Sequence, residues 1–382
     1  MDGNQLSSPT PFTPPTTEED RLAWLRLIRS RRVGATTFLR LIAEHGSARA
    51  ALAALPGVAE AAGVTGYAPC PHDIAAREMD AGMRKGAHLL FLGAPDYPEP
   101  LAALTDPPPV LWARGHGEVA TMPAVAIVGS RNASSLGARM ARKLAEGLGH
   151  HGFAVVSGLA RGIDTTAHGG ALKSGTIAVM AGGVDVISPP ENVMLAAAIA
   201  DQGLLLSEQP IGLQPLARHF PRRNRLIAGL SRAVIVVEAA EGSGSLITAH
   251  DALEQGREVM AVPGHPLDAR AEGCNRLIRE GARLVRGVED VLEALAGEIV
   301  VPRPRRTPPP GKCGPTRPSA PAPLDTLALH RQILDRLGAA PVAEDQLLRD
   351  LALPAASVAP ALLFLELDGR VQRQSGGMLA KV

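Results

Sequence analysis

The 382-residue chain has only three cysteines, Cys70, Cys274 and Cys313, and no two of them stand at the C-x-x-C spacing that a zinc site or a redox pair needs. A reduced compartment fits that usage. Hydrophobic residues make up 46% of the chain, yet no apolar run reaches about 18 residues and no charged segment leads into an apolar stretch near the start. The sequence reads as that of a soluble, cytoplasmic protein with no membrane partner. Neither sign of charge predominates: 39 basic residues face 38 acidic ones, a formal net charge of +1. Any site for a polyanion must therefore be a local patch. Catalytic patterns are missing too. Carboxylates are dispersed, no Asp-rich cluster suggests a two-metal centre, and no serine sits in a G-x-S-x-G elbow. No catalytic residue, metal ligand or cofactor is expected, which points to a binder rather than an enzyme.

What is there divides the chain into segments. Residues 1–17 are rich in Pro, Thr and Ser and read as a disordered lead. Residues 18–84 have helical periodicity, with Leu22, Leu25 and Ile28 and then Phe38, Leu41 and Ile42 at apolar positions. Between Leu89 and Gly115, short apolar runs are broken by Asp96-Tyr97-Pro98 and Pro107-Pro108-Pro109, the composition of turns and edge strands.

From Ala124 the pattern becomes apolar strands alternating with helices of about 12 residues, the mark of parallel βαβ units. The strands are read at Ala124–Gly129, Ala154–Gly158, Thr176–Gly182, Gly203–Glu208, Ala233–Ala239, Glu258–Gly264 and Ala282–Val285. They predict an α/β domain over 85–300 with a Rossmann-like, doubly wound, mostly parallel sheet. Val301 to Pro323 holds nine prolines and five basic residues with no acid, and reads as an extended linker. Residues 324–382 read as three helices, 326–337, 343–350 and 355–368, with a hairpin beyond, which is the winged-helix pattern. No internal repeats are evident.

Four turns could hold phosphate. The first strand ends in Gly129-Ser130-Arg131-Asn132, where a glycine allows close backbone approach, a hydroxyl adds a hydrogen bond and an arginine a charge. It is neither a complete G-x-G-x-x-G nor a P-loop, and a plain tight turn is the alternative. The run Ser157 to Asp164 repeats the design with Arg161. Within it Asp164 reads as the N-cap of a helix beginning at Thr165, and His168 as a structural histidine. Arg218 to Arg225 places four arginines in eight residues, with Phe220 among them where a base could stack. A solvated charged face with Phe220 as a core anchor is the competing reading. Finally Gly242, Ser243, Gly244 and Ser245 could form a nest of amides around a phosphate, or a flexible loop with Ser245 as helix cap.

Taken together, Gly129-Ser130-Arg131, Ser157 to Asp164 with Ala167-His168, Phe220-Pro221 with Arg223-Asn224-Arg225, Ser243 to Ala249 and Ala261-Val262-Pro263-Gly264 resemble the DNA-processing A (DprA/Smf) family through most of residues 89–286. The resemblance implies a non-catalytic protein that binds and protects single-stranded DNA and helps load the RecA recombinase during natural transformation, working as a homodimer. It also implies strand contacts by Gly129, Ser130, Arg131, Arg223, Asn224 and Arg225, with Arg161 and Phe220 beside them. The N-terminal helices are similar to the family's sterile-alpha-motif-like or helix-hairpin-helix-like extension. Where the family commonly has Tyr-Pro after the third strand, this chain has Ile187-Ser188-Pro189-Pro190. With aromatics at 3%, the strand must be held chiefly by charge and amides.

In the C-terminal module, the expected recognition helix 355–368 carries Glu366 and Asp368 and no Lys or Arg. A helix entering a DNA groove brings basic or amide side chains, so the module is expected to contact protein or to regulate access, unless it binds through Arg370, Arg373 and Lys381. Two other functions compete. One is a nucleotide phosphoribohydrolase, against which stands Thr248 where such enzymes carry a glutamate. The other is a duplex-DNA regulator acting through the winged helix.

Overall fold

A computed structural model describes residues 13–61, 63–295 and, beyond these, 326–337, 342–351, 353–354, 358, 361–362, 365, 370–374 and 378–381. The proline-rich stretch 301–323 and most of the helix expected over 355–368 lie outside the described residues.

Helices α1 (Glu18–Arg29), α2 (Ala35–His45), α3 (Ala48–Ala61) and α4 (His72–Arg84) form the N-terminal unit. Thr17 caps α1 by accepting a hydrogen bond from the Asp20 amide, and Gly46, at φ 77°, ends α2 in the left-handed region that a side chain disfavours. Trp24 and Phe38 meet edge to face at 5.1 Å, and Trp24 also meets Phe91, at 5.9 Å, joining this unit to the sheet that follows.

That sheet is built in the order β1 (Ala87–Phe91), α5 (Glu99–Ala102), β2 (Val110–Gly115), β3 (Ala124–Gly129), α6 (Ser135–His150), β4 (Ala154–Ser157), α7 (Ile163–Ala171), β5 (Thr176–Val179), α8 (Val193–Gln202), β6 (Leu204–Ser207), α9 (His219–Leu230), β7 (Ala233–Val237), α10 (Gly244–Glu254), β8 (Glu258–Ala261), α11 (Glu272–Arg279), β9 (Arg283–Leu284) and α12 (Val288–Ala294). Its strand order is β1-β2-β6-β5-β4-β3-β7-β8-β9. All neighbours from β6 to β9 are parallel, whereas β1 and β2 add an antiparallel edge.

The sequence predicts seven strands and the sheet has nine. The two extra strands fall in the stretch read as turns and edge strands, where prolines and short runs hide the pairing of Ala87–Phe91 with Val110–Arg114. The parallel strands also stop one to three residues earlier than expected in most cases, because their last residues turn into the loops at the sheet's carboxyl edge.

Alternate residues of β3 and β7 serve two cores. Val125, Ile127, Ile235 and Val237 pack with Leu144, Leu148 and Ala167 on one face. Ala126, Val128, Val234 and Val236 pack with Leu226, Ile227 and Ala249 on the other. Strands covered on both faces have no polar alternation, which is why these segments read as continuous apolar runs.

The C-terminal module contains α13 (Thr326–Arg336), β10 (Val342–Ala343), α14 (Glu344–Leu351), β11 (Val371–Gln374) and β12 (Met378–Lys381), with sheet order β10-β12-β11. Its separate core includes Ile333, Leu337, Leu347, Leu362, Leu365 and Leu379. This is the winged-helix arrangement. Among the described residues, no helix is long and apolar enough to cross a membrane.

Candidate nucleic-acid interface

The strand order reverses at β3, which has β4 on one side and β7 on the other. Loops leaving the carboxyl ends of strands at such a switch point diverge and leave a crevice between them. Here the crevice is a cleft of about 660 Å³, and its walls include Gly129, Ser130, Arg131, Phe220, Arg223, Asn224 and the turn Gly242 to Ser245. Segments separated by more than a hundred residues in sequence thus meet at one sheet edge.

Each wall has a local cause. Gly129 ends β3 against β7 so closely that a Cβ there would overlap the Val237 carbonyl oxygen. Ser130 Oγ accepts from the Asn132 amide at 3.1 Å, and its carbonyl accepts from the Ile163 amide at 3.2 Å. Gly162, at φ 76°, lies against the carbonyls of Ser130 and Arg131, where a side chain has no room. Arg131 is exposed, and its guanidinium carbon stands 5.3 Å from the centre of the half-buried Phe220 ring.

Helix α9 supplies the floor. Arg223 is 6% exposed. Its Nη1 donates to the carbonyls of Gly158 at 2.6 Å and Val179 at 2.8 Å, and its Nε donates to Asn224 Oδ1 at 3.1 Å. Gly158 is the residue that admits it, since a Cβ there would strike the guanidinium. Asn224 Nδ2 in turn donates to the Gly244 carbonyl at 3.3 Å, tying α9 to the start of α10.

Beside Arg223, Asp164 is buried, with Oδ2 accepting from the amides of Gly158 at 3.1 Å and Ala160 at 3.2 Å. Burial pushes its carboxyl up from the usual range, opposed by the Arg223 charge and those amides. Burial also draws the Arg223 pKa down to about 10, so the guanidinium stays protonated at neutral pH.

Two cap assignments differ from the sequence reading. Asp164 is not the N-cap: α7 begins at Ile163 after Gly162, and Asp164 sits in the first turn with its carboxylate turned back to brace the preceding loop. At α10 the cap is Ser243, which accepts from the Ser245 amide, and not Ser245. Gly242 precedes it at φ 75°. No acidic residue lies in the first turn of α10, so no carboxylate of the helix itself offsets the positive end of its dipole at the cleft. On the rim, Glu241 is paired with Arg276 at 3.2 Å.

Two of the arginines named from the sequence lie outside this cleft. Arg161 is exposed and paired with Glu191. Arg225 projects to the other side of α9, where it bonds Glu208 at 2.7 Å and Asp106 at 3.2 Å and is 18% exposed at the side chain. Conversely, Asn132, Ile247 and Thr248 line the cleft without having been singled out as contacts. Ile247 follows Ser243 by four residues, one helical turn, and that spacing was the available signal for a 43%-exposed apolar side chain beside the turn Gly242 to Ser245. His168 is fully buried, with Nδ1 at 2.7 Å from Thr176 Oγ1. Among the described residues, no group of three or more His, Cys, Asp or Glu side chains is placed to hold a metal ion.

Comparison with known proteins follows the same segments. Residues 88–296 match the family described as DNA recombination-mediator protein A, residues 18–81 the DprA-like N-terminal HHH domain, and residues 315–377 the DprA winged helix domain. The chain is 49% identical over 198 residues to the DNA processing protein DprA of Streptococcus pneumoniae, covering 51% of this chain and 70% of that protein. It is 38% identical over 323 residues to the protein Smf of Synechocystis, covering 78% and 81%. Among solved structures, that of DNA processing protein A from Streptococcus pneumoniae aligns with a TM-score of 0.60 at 37% identity, covering 73% of this chain and 98% of that one. The structure of DNA processing protein A from Helicobacter pylori, described for its single-stranded DNA binding mode, aligns at 0.50 with 30% identity, covering 55% and 95%. On these matches, spanning more than half of its length, the chain belongs to the DNA recombination-mediator protein A (DprA/Smf) family.

Proposed function

We propose that this chain binds single-stranded DNA without catalysis in the cleft at the β3 switch point, protects it, and helps load a RecA recombinase onto it during natural transformation. It does so in the cytoplasm as a homodimer. The observation that carries this reading is the convergence of Arg131, Phe220 and the turn Gly242 to Ser245 at the start of α10 on one cleft. An exposed guanidinium meets phosphate, the positive end of the α10 dipole at Gly244 favours a second phosphate, and a base would stack on Phe220 by displacing the Arg131 guanidinium from beside its ring. The binding mode named for the Helicobacter pylori relative supports the same ligand. Gly129, Ser130, Arg131, Phe220 and Gly242 to Ser245 are assigned to the strand directly. Arg223 and Asn224 hold the floor beneath it, and Arg161 would reach the strand by leaving Glu191. The proposed domains are 18–84, 85–300 and 324–382, with 301–323 as linker.

Fluorescence anisotropy of a labelled oligothymidine over a salt series tests the reading. If about five phosphates are neutralised, log K falls with log salt at a slope near −3.5, at about −0.7 per phosphate. Arg131→Ala is expected to weaken binding and to make the slope shallower by about 0.7. Absence of binding, with release of free base from AMP, would move the assignment to a nucleotide hydrolase. Preference for one duplex sequence over single strands would move it to the winged helix.

A further inference from the structure

The two sides of α9 do different things. Phe220 and Arg223 face the cleft, whereas Arg225 turns away from it into a run of polar side chains that crosses into the N-terminal helical unit. Arg225 Nη2 donates to Glu208 Oε2 at 2.7 Å, and its Nη1 to the Asp106 carbonyl at 3.0 Å. Glu208 follows β6, and its main-chain carbonyl accepts from Arg29 Nη1 at 3.2 Å. Arg29, the last residue of α1, grips Glu78 of α4 with Nε and Nη2, each at 2.9 Å from a carboxylate oxygen. Glu78 Oε1 also accepts from the Trp112 indole on β2 at 2.8 Å. The ion-paired side chains are nearly enclosed, at 13% and 10% exposure for Arg29 and Glu78 and 18% and 17% for Arg225 and Glu208.

Enclosed ion pairs resist separation, because moving one partner leaves the other charged and desolvated. Two-pronged arginine contacts also fix direction as well as distance. Neither ion pair crosses between the units; each fixes a group that does, the Arg29 fork for its bond to the Glu208 carbonyl and the Glu78 carboxylate for the Trp112 indole, so a displacement of the helical unit is felt at Glu208 and, through its side chain, at Arg225. At its near end, α9 is held from the cleft side by Arg223 and from the far side by Arg225, so the tilt of the helix, and with it the position of Phe220, depends on both.

We infer that the run Glu78–Arg29–Glu208–Arg225 couples the N-terminal helical unit to the DNA cleft, with Arg225 a positioning residue for α9, so that the helical unit sets the affinity of a site it does not line. This rests on the single-stranded-DNA reading of the cleft.

The test uses the full chain. Arg29→Met, which keeps the apolar stem and removes the fork, is expected to weaken oligothymidine binding by about tenfold, within the usual range of coupling between sites. The slope of log K against log salt should stay unchanged, because no phosphate contact is lost. Arg225→Met should behave alike, and Arg29→Lys should recover part of the loss.

A second readout does not depend on those variants folding well. In Trp24→Phe protein, Trp112 is the remaining tryptophan; it is 1% exposed and cannot stack on a base. Its emission is expected to change on titration with oligothymidine, at the same midpoint as the anisotropy. Wild-type binding with flat Trp112 emission and an Arg29→Met affinity within about twofold overturns the coupling. A slope shallower by about 0.7 for Arg225→Met would instead make Arg225 a phosphate contact. No binding by wild type would overturn the cleft reading itself.

Discussion

Arg223→Ala is expected to lower the unfolding free energy by about 3–5 kcal/mol, the range for removing one partner from a buried charged cluster. The side chain is almost wholly enclosed, and three hydrogen bonds depend on it: to the carbonyls of Gly158 and Val179 and to Asn224. Truncation leaves the two carbonyls at the ends of β4 and β5 without their charged donor. It also removes the positive charge that opposes the burial of Asp164. In addition it frees the Asn224 amide that ties α9 to Gly244. For a domain of 150–250 residues, such a loss corresponds to a fall in melting temperature of roughly 6–20 °C. Arg223→Lys should recover little of it, because a single ammonium cannot reproduce the fork.

Scanning calorimetry of the free protein reads the outcome. A variant that melts within about 2 °C of wild type yet loses oligothymidine affinity would make Arg223 a strand contact instead of a structural one. The expected result has a consequence for mutagenesis of the cleft: an Arg223 variant weakens binding through the floor, so the salt slope of Arg131→Ala is the cleaner count of phosphates.

The divide between Arg131 and Arg223 also marks what the sequence could tell. Both are arginines after a turn or at a helix start, and a basic count treats them alike. Their fates are set by Gly158 and Val179, far away in the chain, which receive one and not the other. The same holds for Arg225, claimed by Glu208 and Asp106, and Arg161, claimed by Glu191. The parallel strands were legible because burial on both faces removes polar alternation. That their loops leave one edge of the sheet follows from parallel pairing, since ligand-binding loops of such sheets leave the carboxyl ends; which of them meet in one cleft does not. The antiparallel edge was legible only as edge strands between Leu89 and Gly115; how they pair with each other and with β6 was not, since the partners lie beyond proline-bearing turns. Nor was Glu238, which adopts φ 56° at the end of β7 and takes the Ser134 amide at 2.8 Å on its carboxylate. Nothing in its neighbours along the chain announces that the start of α6 would receive a carboxylate from another strand.

The second large effect is on stability in acid. Thr176 Oγ1 already donates to the Val155 carbonyl at 2.9 Å, so at its 2.7 Å contact with His168 it accepts, and the imidazole carries its proton on Nδ1. Nε2 is buried with no partner, and a proton there would place an unpaired charge in the core. Burial, helped by the Arg223 charge, draws the pKa of His168 down to about 3. Above about pH 6.5 the ring is neutral in both folded and unfolded chains and contributes no pH dependence. Between about 6.5 and 3 the unfolded chain binds a proton that the folded chain refuses, so stability falls as pH falls, by about 1.4 kcal/mol per unit. Below that window both states are protonated and the loss levels off. Asp164 and Glu208, whose carboxyls burial pushes up, act with the opposite sign, taking up protons in the folded state first. The histidine is therefore isolated by comparison with His168→Gln, which keeps a donor for Thr176 and does not titrate. Urea unfolding at pH 7 and pH 5 should show wild type losing about 2 kcal/mol more than the variant over that interval. Parallel losses in the two proteins would mean that the folded state accepts the proton, and that Nε2 has a polar partner in solution.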